Sequence, residues 1–364
     1  MLNVLHYVTK MDRAGQETFI MNLFRKIDGS QIQFDFLCSD RSRGDFDDEI
    51  HALGGNIFYL PPVTMSGPLK QVQKFFSMVK TLKTHPCDIF HIHTYHAMDA
   101  FRDALAAKLC GIRTVIVHSH NTNTPHHLRA HQLFKKMLRL LPIQRLACSQ
   151  AAGHWMFGNA HFRMIPNALE LDTLYYRETL RDAVRAELDW QDQKIIGHVG
   201  RFQQQKNHHF LIEIFAAIHQ QDPTTKLVLV GKGELQEQIL QLVQEKGLQN
   251  AVCFMGTRAD VARLYQGMDL LLFPSLFEGL SVVLLEAQAC DLPCLISDTN
   301  SAEVVLTDRI TMESLQTPAD VWAQTALQLL SDTRCRQDNR HLIRSSGYDM
   351  EQLAHSMKDL YLGH

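Results

Sequence analysis

The segment Asp269-Leu-Leu-Leu-Phe-Pro-Ser-Leu-Phe-Glu-Gly-Leu-Ser-Val-Val-Leu-Leu-Glu-Ala-Gln-Ala289 holds the unit from which the rest of the chain is built. Its apolar run Asp269–Phe273 has the length of a buried strand and stops at a proline, which cannot donate to a sheet ladder. Ser281 stands where a helix N-cap belongs. Val282–Ala289 is apolar nearly all round, as expected of a helix buried against its sheet. Strand, turn and helix in that order make half of a βαβ unit, and a parallel strand needs others beside it.

Outward from this unit the alternation repeats. In the C-terminal half, strand signals recur at Lys194–Val199, Thr225–Val230, Ala251–Met255 and Pro293–Ser297. In the N-terminal half they stand at Asn3–Val8, Ile32–Cys38, Asn56–Leu60, Asp88–His93, Thr114–His118 and Arg145–Ser149. Helical spacing lies between several of them, as at Leu69, Val72, Phe76, Val79 and Leu82. The pattern restarts near residue 194 after a mixed-charge helical stretch from Leu171 to Leu188, and Ile165-Pro166-Asn167 marks the break before it. The expectation is an α/β protein of two Rossmann-like, doubly wound domains, 1–165 and 166–345, facing a cleft. A terminal amphipathic helix within 346–364, carrying Met350, Leu353, Met357, Leu360 and Tyr361, is expected to pack back.

Composition agrees with this reading. With 364 residues, 45% hydrophobic and 21% charged, the chain has ordinary globular make-up and length enough for two domains. No apolar run approaches the roughly 20 residues that span a bilayer, and the opening Met1–Lys10 reads as a strand rather than a signal peptide. Eight scattered cysteines without a C-x-x-C pair argue against a disulfide framework or zinc knuckle, and a cytoplasmic location is expected. The net charge of −3 conceals an asymmetry: residues 1–165 carry 19 Lys+Arg against 12 Asp+Glu, net +7, and the remainder 17 against 27, net −10. Different partners for the two halves follow, with nucleic acid not among them.

Chemistry-bearing residues gather at the turns after strands. Glu286 lies inside the apolar helix and must be paired or hydrogen-bonded, because an isolated buried carboxylate costs several kcal/mol. A structural salt bridge would satisfy it. So would a ribose, whose two hydroxyls it could accept, two turns below a helix N-terminus at Gly279, Leu280 and Ser281 that suits a phosphate. In Gly197-His-Val-Gly-Arg-Phe-Gln-Gln-Gln-Lys-Asn207, Arg201 offers a planar fork for a diphosphate and Lys206 a point charge. In the front half, Arg13-Ala-Gly-Gln-Glu17 places Gly15 in a small-residue turn but lacks the dinucleotide fingerprint. Val117-His-Ser-His-Asn-Thr122 places His120 at a strand's C-terminal end, where active sites form. Neither the histidines (His91, His93, His96, His118, His120, His126, His127, His131) nor Asp45-Phe-Asp47, which reads as a solvated loop, makes a recognised metal-ligand set. No metal or other cofactor is expected.

Together these residues resemble glycosyltransferase family 4, the retaining enzymes of GT-B architecture, and in particular members that build bacterial exopolysaccharide, capsule or lipopolysaccharide. The resemblance runs from Val4-Leu5-His6-Tyr7-Val8 to Gly347-Tyr348-Asp349, and its most specific element is a pair of glutamates separated by seven residues, here Glu278 and Glu286. It implies that Glu278 lies at the donor sugar, that Glu286 binds the nucleotide ribose, and that Arg201 and Lys206 bind the diphosphate. It also implies that His120 is the active-site histidine and Gly15 part of the N-terminal glycine loop. Two departures stand out: Ala14-Gly15 replaces the usual double glycine, and Pro166-Asn-Ala-Leu-Glu170 replaces P-N-G-I-D.

The implied activity is sugar transfer from a nucleotide diphosphate-sugar, UDP favoured over GDP, to a glycan or lipid-linked acceptor. The basic segments Leu133–Leu141 and Leu69–Lys83 fit contact with an anionic membrane, or plain packing on the sheet with their lysines in water. A sugar-nucleotide 2-epimerase, a glycoside phosphorylase and a non-catalytic partner of another transferase are the alternative readings.

Overall fold

Strands this apolar on both faces call for parallel pairing with helices above and below. The computed structural model, which describes residues 1–120, 128–278 and 280–363, contains only parallel strand pairs in its two sheets among those residues. The chain divides into two compact units, Met1–Ala168 with Met350–His364, and Leu169–Asp349.

The first unit runs β1 (Leu2–Val8), α1 (Gly15–Lys26), β2 (Ile32–Cys38), α2 (Asp47–Ala52), β3 (Ile57–Tyr59), α3 (Gly67–Thr84), β4 (Ile89–Thr94), α4 (Ala97–Leu109), β5 (Thr114–Ser119), α5 (Leu128–Leu138), β6 (Gln144–Ala147), α6 (Gln150–Phe157) and β7 (Arg163–Met164). Its sheet order is β3-β2-β1-β4-β5-β6-β7. The second runs α7 (Glu178–Glu187), β8 (Lys194–Val199), α8 (His208–Gln221), β9 (Thr225–Val230), α9 (Gln236–Glu245), β10 (Val252–Gly256), α10 (Val261–Gly267), β11 (Leu270–Phe273), α11 (Val282–Ala289), β12 (Cys294–Ser297), β13 (Ile310–Glu313), α12 (Ala319–Leu330) and α13 (Arg340–Ser345). Its order is β10-β9-β8-β11-β12-β13. In each sheet the order reverses once, between β1 and β4 and between β8 and β11, so the loops leaving those strand pairs diverge and open a crevice.

The terminal helix α14 (Met350–Leu362) belongs to the first unit. Met350, Leu353, Met357 and Tyr361 join a core with Phe19, Phe34 and Phe36, and the Tyr361 hydroxyl lies 2.8 Å from His91 Nδ1. Each such apolar side chain contributes about 1.5–3 kcal/mol by leaving water, which holds the helix in place.

Three sequence readings are corrected. The helical stretch expected over Leu171–Leu188 is helical only as α7, Glu178–Glu187. Strands β7 and β13, both partly polar, were not expected. Asp45–Glu49 is not a solvated loop: α2 begins at Asp47, which is buried and accepts the Gly44 N–H at 2.9 Å, while Asp45 accepts the Arg13 N–H at 3.1 Å. Gly44 allows this turn, since a Cβ there would stand 2.6 Å from Met11 O.

Candidate functional site

In the second unit the switch-point crevice is walled by the loops leaving β8 and β11. Backbone and side chain sew these loops together: Leu276 N–H donates to Gln205 O at 2.8 Å, the Gln205 amide to Phe277 O at 2.9 Å, and the Asn207 amide to Pro274 O at 3.1 Å. A third loop closes in from β9. Gly231, at φ +141°, packs so tightly that a Cβ would fall 2.0 Å from Gly200 O, so only glycine fits.

Lys206 and Glu278 meet directly in this wall. Lys206 Nζ donates to Glu278 Oε1 at 2.7 Å, with both side chains largely buried, and the ammonium sits 4.5 Å over the Phe273 ring. The two charges cancel. Arg201, exposed at the end of β8, makes no ion pair with a described residue, and neither does Lys232 in the β9 loop, whose carbonyl accepts the Phe202 N–H at 3.1 Å. The uncompensated positive charge therefore lies on Arg201 and Lys232.

Helix α11 starts beside this loop. Ser281 occupies the N-cap position and is buried, but its hydroxyl makes no capping bond, contrary to the expectation from sequence. No described residue accepts a hydrogen bond from the N–H groups of Leu280, Ser281, Val282 or Val283, so they are available to an anion. Leu280 is partly buried against the core, and Gly279 lies outside the described residues. Among the described residues Glu286 forms no salt bridge: its partner is the Tyr265 hydroxyl, which donates to Oε2 at 2.9 Å. Burial pushes the Glu286 carboxyl up to about 7, against the opposing effect of that hydrogen bond.

The first unit offers a second group at its own switch point. Gly15 opens α1, and nothing lies within 4 Å of where its Cβ would be, which leaves room for a ligand against the backbone. His120 follows β5 and lies beside Phe19 of α1, ring centroids 5.8 Å apart. Asn121, Thr122, His126 and His127 lie outside the described residues.

The histidines, dispersed in sequence, converge here. His6, His91 and His93 have ligand-capable nitrogens within 4.8 Å of one another, and so do His93, His118 and His120. Sequence spacing could not show this, because the gathering is made by register: His6 pairs with His91 across β1 and β4, and His93 with His118 across β4 and β5. The rings nonetheless lie poorly for a metal. His91 and His93 stack at 4.2 Å with 27° between planes, so their in-plane lone pairs run side by side. Also missed were Tyr265, which nothing near Glu286 in sequence announces, and Lys232, whose strand-Gly-x-Gly-helix context was legible.

Comparison with known proteins extends the picture. Residues 13–173 match the model described as Glycosyltransferase Family 4, and residues 181–348 that described as Glycosyl transferases group 1. The chain is 34% identical to EpsF of Bacillus subtilis (strain 168), which carries the name of a glycosyltransferase, over 98% of this chain and 96% of that one. It is 22% identical to CapH of Staphylococcus aureus, named as a capsular polysaccharide biosynthesis glycosyltransferase, with 100% and 99% covered. It is similar in fold to Anabaena Alr3699/HepE, crystallised with UDP and glucose, at a TM-score of 0.80 and 19% identity over 100% of both chains.

The Lys206–Glu278 contact generates a prediction. Lys206→Ala strands a largely buried carboxylate and is expected to cost on the order of 3 kcal/mol. Combining it with Glu278→Gln should restore part of that loss, because the double variant has no charge left to strand. Urea unfolding of the two single variants and the double gives the coupling; strictly additive losses would show that the pair does not act as a unit.

Proposed function

The chain belongs to the glycosyltransferases of family 4 and group 1, with their GT-B fold, and on that premise we propose that its second unit binds a UDP-sugar and its first a phosphate-bearing lipid-linked or glycan acceptor. The observation that carries the donor assignment is the convergence of Arg201, the Lys206–Glu278 pair and the unengaged N–H groups of α11 at one strand-order reversal. UDP is supported by the HepE complex, and a role in surface polysaccharide assembly by the name of CapH. The matched models and these relatives are glycosyltransferases, and nothing in them favours the epimerase reading.

In this reading Arg201, Lys206 and the helix N-terminus take the diphosphate and stabilise the charge that develops as the sugar–phosphate bond breaks. Glu286 accepts the ribose hydroxyls. Glu278, turned toward Lys206, stands where the sugar joins the diphosphate. The acceptor oxygen bonds to the anomeric carbon on the face that the nucleotide leaves, and its proton passes to the departing phosphate oxygen. His120 and Gly15 serve the same reaction from the first unit. No metal is assigned, because Asp45 and Asp47 already accept backbone N–H groups.

The acceptor assignment rests on a cavity of about 440 Å³ in the first unit, whose charged lining is Arg41, Lys70, Lys74 and Arg102 against Asp40 and Asp103. Arg102 is bound to Asp99 and Asp103, whereas Arg41, Lys70 and Lys74 form no ion pair with a described residue. Burial lowers the Lys74 pKa, so an arriving anion would relieve it. Beside the cavity, Leu69, Val72 and Phe76 lie exposed along one face of α3, with Lys80 and Lys83 further along the helix. An apolar strip flanked by lysines suits an anionic bilayer. Among the described residues no helix is long and apolar enough to cross a membrane.

Three outcomes are expected. Activity should survive EDTA, and a strict need for magnesium or manganese would sink the electrostatic account. Binding of UDP should weaken as pH falls through about 7, since the raised Glu286 carboxyl must be ionised to accept two hydroxyls and their donation lowers its pKa. The limit is about tenfold per pH unit. Calorimetry should show Glu286→Gln binding UDP more weakly at about pH 8, with the part of the pH dependence not due to the phosphate itself abolished. Finally, the protein should bind anionic vesicles in a salt-sensitive way and neutral ones not at all, and replacing Leu69, Val72 and Phe76 together by Gln should abolish that binding. Equal binding to both vesicle types would return α3 to a plain packing role.

A further inference from the structure

Among the clustered histidines, three are joined in a line. His6 Nδ1 lies 3.0 Å from His93 Nε2, and His93 Nδ1 lies 2.9 Å from His120 Nε2. The two outer nitrogens, His6 Nε2 and His120 Nδ1, are buried and find no partner among the described residues. Burial pushes all three rings far below the ordinary histidine range, His6 and His120 to about 3. Each ring is therefore neutral and carries one proton.

That count leaves two arrangements. In one, every ring is protonated on Nδ1: His6 donates to His93, His93 donates to His120, the bare lone pair is His6 Nε2, and an N–H is left at His120 Nδ1. In the other, every ring is protonated on Nε2, the donations reverse, and an N–H is orphaned at His6. His6 Nε2 cannot discharge that N–H on a neighbour, and its ring lies 4.3 Å from Phe34 and 5.8 Å from Phe36. Both arrangements leave one N–H without a described partner, but His6 is wholly buried among aromatic rings, whereas His120 is only partly buried just after β5, where a bound ligand can accept, so the first arrangement holds.

We propose that His93, backed by His6, is a positioning residue that locks His120 in the tautomer protonated on Nδ1, so that His120 offers its ligand an N–H donor and never a bare nitrogen. This rests on the reading of His120 as a site residue. The chain of bonds spans β1, β4 and the end of β5, so the sheet itself fixes the side chain's proton as well as its place. A donor fixed before binding suits a sugar hydroxyl or phosphate oxygen, both of which accept.

The experiment uses the full chain and four variants. An Asn amide can stand in for Nδ1 of histidine and a Gln amide for Nε2. His93→Asn therefore keeps a donor to His120, and His93→Gln keeps only the bond to His6. His93→Ala and His93→Gln are expected to lower kcat by about tenfold or more, with smaller changes in donor KM, and His93→Asn to recover most of that loss. Nitrogen-15 spectra of histidine-labelled protein should show His120 protonated on Nδ1 in the parent and in His93→Asn, and a tautomer mixture in His93→Gln. A His120 protonated on Nε2 in the parent overturns the inference even if every variant misfolds, and so does equal loss in the Asn and Gln variants. Stoichiometric zinc held by the parent and lost from His93→Ala would overturn it as well, because a metal would displace the shared protons. Full activity in His120→Ala would instead refute the site reading on which the inference stands.

Discussion

Parallel strands cannot be joined by a tight turn, and the rest of this molecule follows from that constraint. Each crossover must carry the chain back to the start of the sheet, mostly through a helix, so the strands all point one way and their C-terminal ends gather on one edge. Where the strand order reverses, adjacent crossovers lie on opposite faces and the edge opens. Candidate site residues lie near both reversals: Arg201, Lys206, Glu278 and Glu286 follow β8 and β11 at one, and Gly15 follows β1 at the other, with His120 after the neighbouring β5. The apolar strands make the scaffold, and the turns after them carry the chemistry.

Within the crevice of the second unit the Lys206–Glu278 bond sets the electrostatic balance. With Lys206 neutralised by a partner at 2.7 Å, the free site holds less positive charge than the sequence alone suggests. Glu286 differs: burial pushes its carboxyl up to about 7, against the hydrogen bond from the Tyr265 hydroxyl. Two acidic residues eight positions apart thus have different partners, a neutral hydroxyl for Glu286 and an ammonium for Glu278.

Legibility followed range. Lys194–Val199 and Thr225–Val230 are strands to the residue, because β-branched runs bounded by turn formers specify themselves locally. Val282–Ala289 is likewise helical as expected, its apolar circumference leaving no alternative to burial. The two-residue β7 and the half-exposed β13 carry no such signal, since an edge strand's polarity resembles a loop's. What the sequence hid most completely was pairing at a distance. Tyr265 reaches Glu286 from the preceding helix, and His6 reaches His93 from a neighbouring strand 87 positions away. Asp47 was misread because its burial depends on Gly44 letting the chain fold against Met11.

The charge asymmetry of the chain resolves into local terms in the same way. A half with net charge −10 would repel an anionic donor if that charge were free to act. The ion pairs of Asp269 with Arg181 and Arg185, Asp291 with Arg309 and Glu187 with Arg263 engage charges of both signs and leave that surplus as it is. What remains exposed is screened within about 8 Å at physiological salt. A ligand in the crevice therefore feels Arg201, Lys232 and the α11 terminus, not the net charge of the unit. In the basic half the reverse holds. Arg41, Lys70 and Lys74 form no ion pair with a described residue and share one cavity with Asp40 and the Arg102–Asp103 pair, so positive charge is in local excess there. Which cations lack partners, and where they lie, decides what each unit attracts.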